Sequence, residues 1–121
     1  TKSNTLIMDA YNANPTSMAL SISNFAKAKY DDKLMILGDM FELGEYSKEE
    51  HKAIAELTEE SKIETFFVGE AFAKCNLNAR SKSFETTEEL LKHLSELKIT
   101  NRTILLKGSR GMGLEKAKNY L

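Results

Sequence analysis

Tryptophan is absent from this chain, and proline and cysteine occur once each, as Pro15 and Cys75. A single cysteine excludes an internal disulfide, and no Cys/His cluster has the spacing of a zinc site. A reduced, cytoplasmic setting is the simplest expectation. An excess of charge of one sign is also missing. Lysine and arginine total 17 against 18 aspartate and glutamate, a formal net charge of -1. That balance offers no electrostatic footprint for nucleic acid or for an anionic membrane. No apolar run approaches the length of a membrane span, and no leader-like segment points to secretion. No internal repeat, low-complexity tract or linker is visible. Two phosphate-binding signatures are missing as well. There is no GxxxxGK[ST] loop, and no GxGxxG follows the first apolar run.

What is present suits one globular domain. The chain has 121 residues, of which 41% are hydrophobic and 29% charged. Five short apolar runs alternate with helical patterns: TLIM at 5–8, KLMIL at 33–37, TFFV at 65–68, a weaker KSF at 82–84 and TILL at 103–106. The helix after Pro15 places Met18, Ile22, Phe25 and Ala26 on one face. The next opens with SKEE, where Ser47 and Glu50 have capping-box spacing, and Ile54 and Leu57 begin its buried face. A short helical piece, EAFAKC, follows the third run. Thr86 and Glu89 form a second capping-box pattern before the stripe Leu90, Leu91, Leu94 and Leu97. A closing helix carries Leu114, Ala117 and Leu121. Unbroken apolar strands separated by amphipathic helices predict an α/β fold, a three-layer Rossmann-like sandwich with a mostly parallel sheet of five β-α units. Strand order is not readable at this level.

Ligands of such sheets bind beyond the carboxyl ends of the strands. The loops there are DAYNAN at 9–14, GDMFELGE at 38–45, Gly69-Glu70, and KGSRGMG at 107–113. Asp9 can accept from ribose hydroxyls or hold a metal-bound water, Tyr11 can stack on a base, and Asn12 and Asn14 each offer a donor and an acceptor. Asn14 can equally cap the helix at Pro15, leaving the rest a turn. Asp39, Glu42 and Glu45 lie on one loop that also holds two glycines, Gly38 and Gly44, where paired acids suit an ammonium group or magnesium; a solvated loop with two backbone kinks is the plain alternative. Lys107 ends a strand, and Gly108-Ser109 beside Arg110 exposes N–H groups to an anion; a tight turn with two surface cations would look the same. His51 is expected at the surface or half-buried, His93 at the surface, and Cys75 as a buried small hydrophobe. The methionines read as core filler.

Together, DAYNANPTSM, LGDMFELGE with a following helix that carries His51, and LLKGSRGMGLE resemble the carboxyl-terminal domain of the Mur ligase family. The likeness is to the branch that joins D-alanyl-D-alanine to UDP-N-acetylmuramoyl-tripeptide. It covers nearly the whole chain, residues 1–121. The resemblance implies a fragment of a three-domain cytoplasmic enzyme of peptidoglycan precursor synthesis. ATP phosphorylates the tripeptide carboxylate, and the dipeptide amine attacks the acyl phosphate. It further implies that Asp9, Tyr11, Asn12 and Asn14 face the nucleotide. Asp39, Glu42, Lys107, Ser109 and Arg110 would face the acceptor dipeptide. ATP and Mg2+ would be held mainly by a central domain that this chain lacks, and no catalytic or metal-binding residue is expected in it. No nucleic-acid or membrane partner is expected.

Two rival readings differ in what the residues allow. A phosphoacceptor receiver domain needs an aspartate ending strand three, where this chain has Gly69, and usually Lys-Pro where it has Lys107-Gly108. It is rejected on those residues. A stand-alone nucleotide-binding or interaction module stays open.

Overall fold

The computed structural model describes residues 3–9, 13–75 and 80–121. Five strands form one sheet: β1 (Thr5–Asp9), β2 (Lys33–Gly38), β3 (Glu64–Val68), β4 (Ser81–Phe84) and β5 (Thr103–Lys107). Every pairing is parallel, and the order is β1-β5-β2-β3-β4. The last strand thus lies between the first two, with Lys107 in register with Asp9 on one side and Leu37 on the other.

Among the described residues, four α-helices connect or flank the strands: α1 (Pro15–Lys27), α2 (Ser47–Ser61), α3 (Glu70–Ala73) and α4 (Thr87–Glu96). Residues alternate across each strand. One side of the sheet buries Met35, Leu37, Phe67 and Leu105 against Met18, Ile22 and Phe25 of α1, Ile54 and Ala55 of α2, and Phe72 of α3. The other side buries Leu34, Ile36, Phe66, Ile104 and Leu106 against Leu90 and Leu94 of α4 and the carboxyl-terminal Leu114, Ala117 and Leu121. Both faces are therefore covered over β2, β3 and β5, which is why these strands lack polar alternation, while the edge strand β4 is polar and partly exposed.

Several local expectations are corrected. The Ser47–Glu50 capping box does not form. A 3-10 turn over Gly44–Tyr46 runs directly into α2, and the Ser47 N–H bonds to Gly44 O, so the helix end needs no side-chain cap there. Thr86 does cap α4, accepting from the Glu89 N–H at 3.1 Å. The closing helix is 3-10, over Leu114–Tyr120. Its buried Leu114 and Ala117 are three apart, the spacing that aligns side chains at three residues per turn. His93 is not a plain surface residue. Its ring packs on Phe84 at 5.0 Å and Phe66 at 5.6 Å between centroids, and its Nε2 is buried without a hydrogen-bond partner. Cys75 is half-buried rather than enclosed. Burial, then the charge of Asp39, push its thiol pKa up, against a smaller lowering by Lys52.

Candidate functional site

The helices after β1, β2 and β3 pack on one face of the sheet, while the chain leaving β5 packs on the other. β5 lies between β1 and β2. At its carboxyl end the chain therefore turns away from both neighbours, which opens the crevice where ligands of open α/β sheets bind. The residues there are Gly38 to Phe41 after β2 and Gly108 to Gly111 after β5.

These loops are tied together by side-chain acceptors. Asp39 is 6% exposed, and its carboxylate accepts from the Ala71 N–H at 2.9 Å and the Phe72 N–H at 3.0 Å. It thereby caps the start of α3 with charge-assisted bonds. Its backbone N–H bonds to Val68 O, and its carbonyl accepts from the Ser109 N–H at 3.2 Å. The Met40 N–H donates to His51 Nε2 at 3.0 Å, and the Phe41 N–H to Ser109 Oγ at 2.9 Å. His51 is fully buried on α2, with its ring edge-on to Phe72 at 4.7 Å between centroids. His51 Nε2 lies 3.8 Å from the Asp39 carboxylate. Gly69 completes the frame. Its φ is +124°, and a Cβ there would fall 2.2 Å from Asp39 Cγ, so only glycine lets β3 turn beneath that carboxylate.

The residues singled out in the sequence fall into three groups. Asp39 and Ser109 are buried in this frame. Lys107 is fully enclosed at the end of β5, unlike a surface cation. Glu42 and Arg110 are exposed on the rim, with Glu42 at φ 64°, the left-handed region. On the β1 side, Asp9 ends the strand opposite Lys107. Asn14 caps α1: its Oδ1 accepts from the Ser17 N–H at 2.9 Å, and Ser17 Oγ accepts from the Asn14 N–H at 3.1 Å. Tyr11 and Asn12 lie outside the described residues. A cleft of about 390 Å³ borders the loops after β2, β3 and β5, lined by Asp39, Phe41, Gly69, Thr87 and Lys116 among others. Among the described residues, no three His, Cys, Asp or Glu side chains come together to hold a metal ion.

His51 is the residue that sequence reasoning undervalued. Its helical phase carried the signal. His51, Ile54, Ala55 and Thr58 share the buried face of α2, and a histidine in phase with an isoleucine faces the core. Phe41, 47% exposed on the rim, was also passed over.

A family model described as "Mur ligase, glutamate ligase domain" matches residues 1–110. The chain belongs to that family. Two curated relatives, both UDP-N-acetylmuramoyl-tripeptide–D-alanyl-D-alanine ligases, extend this Mur ligase assignment. The Rickettsia prowazekii protein is 31% identical over 120 residues, which cover 95% of this chain and 27% of that protein. The Bacillus subtilis protein is 34% identical over 119 residues, 91% of this chain and 26% of that protein. This Mur ligase domain thus spans about a quarter of the length of either relative. Among solved structures, the MurF ligase of Thermotoga maritima in complex with ADP superposes with a TM-score of 0.76 at 21% identity, covering 99% of this chain and 29% of that one. At that identity the likeness shows the fold.

Proposed function

We propose that residues 1–121 are the carboxyl-terminal domain of a UDP-N-acetylmuramoyl-tripeptide–D-alanyl-D-alanine ligase, acting in the cytoplasm on peptidoglycan precursor. The reading is carried by the crevice at the end of β5, where the loops after β2 and β5 are tied together through Asp39, Phe41 and Ser109. It is supported by the identity to two ligases of that activity. No helix among the described residues is long and apolar enough to cross a membrane.

In the proposed reaction ATP converts the tripeptide's terminal carboxylate to an acyl phosphate, and the dipeptide amine displaces phosphate. The amine must be neutral when it attacks. Nothing in this sequence matches the phosphate cradle that phosphoryl transfer requires. ATP and Mg2+ therefore belong mainly to a central domain, and this domain forms one wall of the site. On that wall, Asp9, Tyr11, Asn12 and Asn14 face the nucleotide. Asp39, Glu42, Lys107, Ser109 and Arg110 belong to the side that receives the acceptor. Exposed Arg110 is suited to the dipeptide carboxylate and exposed Glu42 to its amine. Asp39 and Lys107, both enclosed, shape that side from beneath.

The test is a ligation assay on the full-length protein with ATP, Mg2+, UDP-N-acetylmuramoyl-tripeptide and D-alanyl-D-alanine, following the pentapeptide product and ADP. Product formation with the full-length protein and none with residues 1–121 alone is expected. Absence of product from the full-length protein overturns the reading, as does turnover by the fragment.

A further inference from the structure

Met40 and Phe41 present two successive backbone N–H groups at the point where the loops after β2 and β5 diverge. Left unpaired, such a pair forms a small anion-binding hollow. Here each is taken by a side chain from a different element, His51 from α2 and Ser109 from beyond β5. Both acceptors are themselves held. His51 Nδ1 lies 2.7 Å from Ser47 O, one turn back in α2. A carbonyl only accepts, so Nδ1 carries the hydrogen. The Met40 N–H only donates, so Nε2 carries the lone pair. The geometry thus selects the Nδ1–H tautomer, and Ser47 is what selects it. Ser109 is fixed from the other side by its own N–H on Asp39 O. It grips the β2 loop twice, at residues 39 and 41.

What this double grip positions is exposed. Phe41 projects from the rim over Gly111, where an added Cβ would lie 2.7 Å from the ring. Glu42 follows at φ 64°, a conformation an unrestrained glutamate would leave. We propose that His51 and Ser109 are positioning residues of the acceptor side. They hold Met40 and Phe41 by consecutive N–H groups and so fix the surface that Phe41, Glu42 and Arg110 present to the incoming dipeptide. This rests on the function proposed above. Neither residue needs to touch a substrate to serve in this way.

Two paired substitutions in the full-length protein separate positioning from mere support. Ser109→Ala removes the acceptor for the Phe41 N–H, and Ser109→Thr keeps it. His51→Phe keeps the packing on Phe72 without an acceptor, and His51→Gln restores an oxygen at the Nε2 position. Ser109→Ala and His51→Phe should each raise the KM for D-alanyl-D-alanine about fivefold or more, the factor expected from one ordinary hydrogen bond. The KM for ATP should stay unchanged, and the Thr and Gln variants should recover most of the loss. The 15N shifts of His51 in histidine-labelled full-length protein should report the Nδ1–H form in the wild type. If His51→Phe fails to fold, the Ser109 pair and the 15N spectrum still decide. Equal rises in both KM values, no rise in either, or an Nε2–H spectrum would overturn the inference while wild-type ligation stands. Loss of wild-type ligation would instead overturn the underlying function.

Discussion

The two edges of the sheet are held by contrasting balances of donors and acceptors. At the amino edge, side-chain donors to carbonyls predominate, although Asn4 Oδ1 and Ser3 Oγ also accept from the Arg102 and Asn101 N–H groups. Arg102 donates to Asp32 O at 3.2 Å and Lys33 O at 2.9 Å, Asn4 Nδ2 to Ile99 O at 2.7 Å and Leu121 O at 2.9 Å, and Lys33 Nζ to Ala26 O at 2.9 Å. At the carboxyl edge, acceptors satisfy N–H groups: Asp39, His51, Ser109, Asn14 and Thr86 all do so. The reason lies in the connectivity. In a parallel α/β sheet, helices begin near the carboxyl ends of the strands and finish near the amino ends, so each edge inherits one kind of orphan backbone group. The carboxyl edge is rich in N–H groups before any ligand arrives. Anionic and carbonyl-bearing groups are favoured there on backbone grounds alone.

The edges also differ in depth. Arg102 pairs with Glu64 at 2.9 Å and Asp32 at 3.3 Å, but both carboxylates are well exposed, 44% and 62%. The carboxyl-edge acceptors Asp39, His51 and Ser109 are all buried. Ablating one edge at a time should therefore give unequal losses.

The largest loss is expected from Gly69→Ala, which combines a forbidden φ with a collision against a carboxylate that cannot move without dropping two N–H groups. It should cost about 3 kcal/mol or more in urea unfolding. A loss under about 1 kcal/mol would mean the carboxyl-edge frame is softer than drawn. Asp39→Asn comes next. The amide offers one acceptor oxygen where two N–H groups converge, so about 2 kcal/mol should disappear. Arg102→Ala should cost about 1 kcal/mol at low salt, with its ion-pair share vanishing near 1 M NaCl. A salt-independent loss would assign its effect to the two backbone carbonyls instead. Glu42→Gly relieves a left-handed glutamate and should leave stability within about 1 kcal/mol of wild type, or raise it. Ligation by the full-length protein should nevertheless fall if the carboxylate meets the dipeptide amine. The smallest effect concerns Cys75. Its raised pKa keeps the folded thiol protonated at pH values where an unfolded one ionises. Its contribution to stability is therefore intact below the ordinary thiol range and lost as pH rises through and above it. Alkylation by iodoacetamide near pH 8 should be slower in folded than in denatured protein.

The five β-α units could be read directly, because apolar runs and helical stripes follow two periods that local sequence states plainly. Met18, Ile22 and Phe25 of α1 and Leu90 and Leu94 of α4 are buried as their spacing requires. Strand order could not be read, since it depends on which strands meet at long range, and the apolar β2, β3 and β5 look alike from within. The site was legible as a set of loops but not as a division of labour. Asp39 and Glu42 are three residues apart in one acidic loop. Yet Asp39 is turned inward by the N–H groups of α3, more than thirty positions away, while Glu42 stands in solvent. Ser109 and Phe41 meet across 68 positions, which no local pattern encodes. His51 misled for the opposite reason: a single polar residue outweighed a helical phase that already pointed inward.

The place of β5 in the sheet has a consequence for how the chain comes to fold. β1 and β2 do not pair with each other; each borders β5, the last of these five strands in chain order. A nascent chain emerging amino end first can assemble β2, β3 and β4 with their helices while β1 has no neighbour. Only when residues 103–107 leave the ribosome can the centre of the sheet close. Until then two apolar strand edges wait open for the same partner, which makes this interval the one in which a holdase has most to protect.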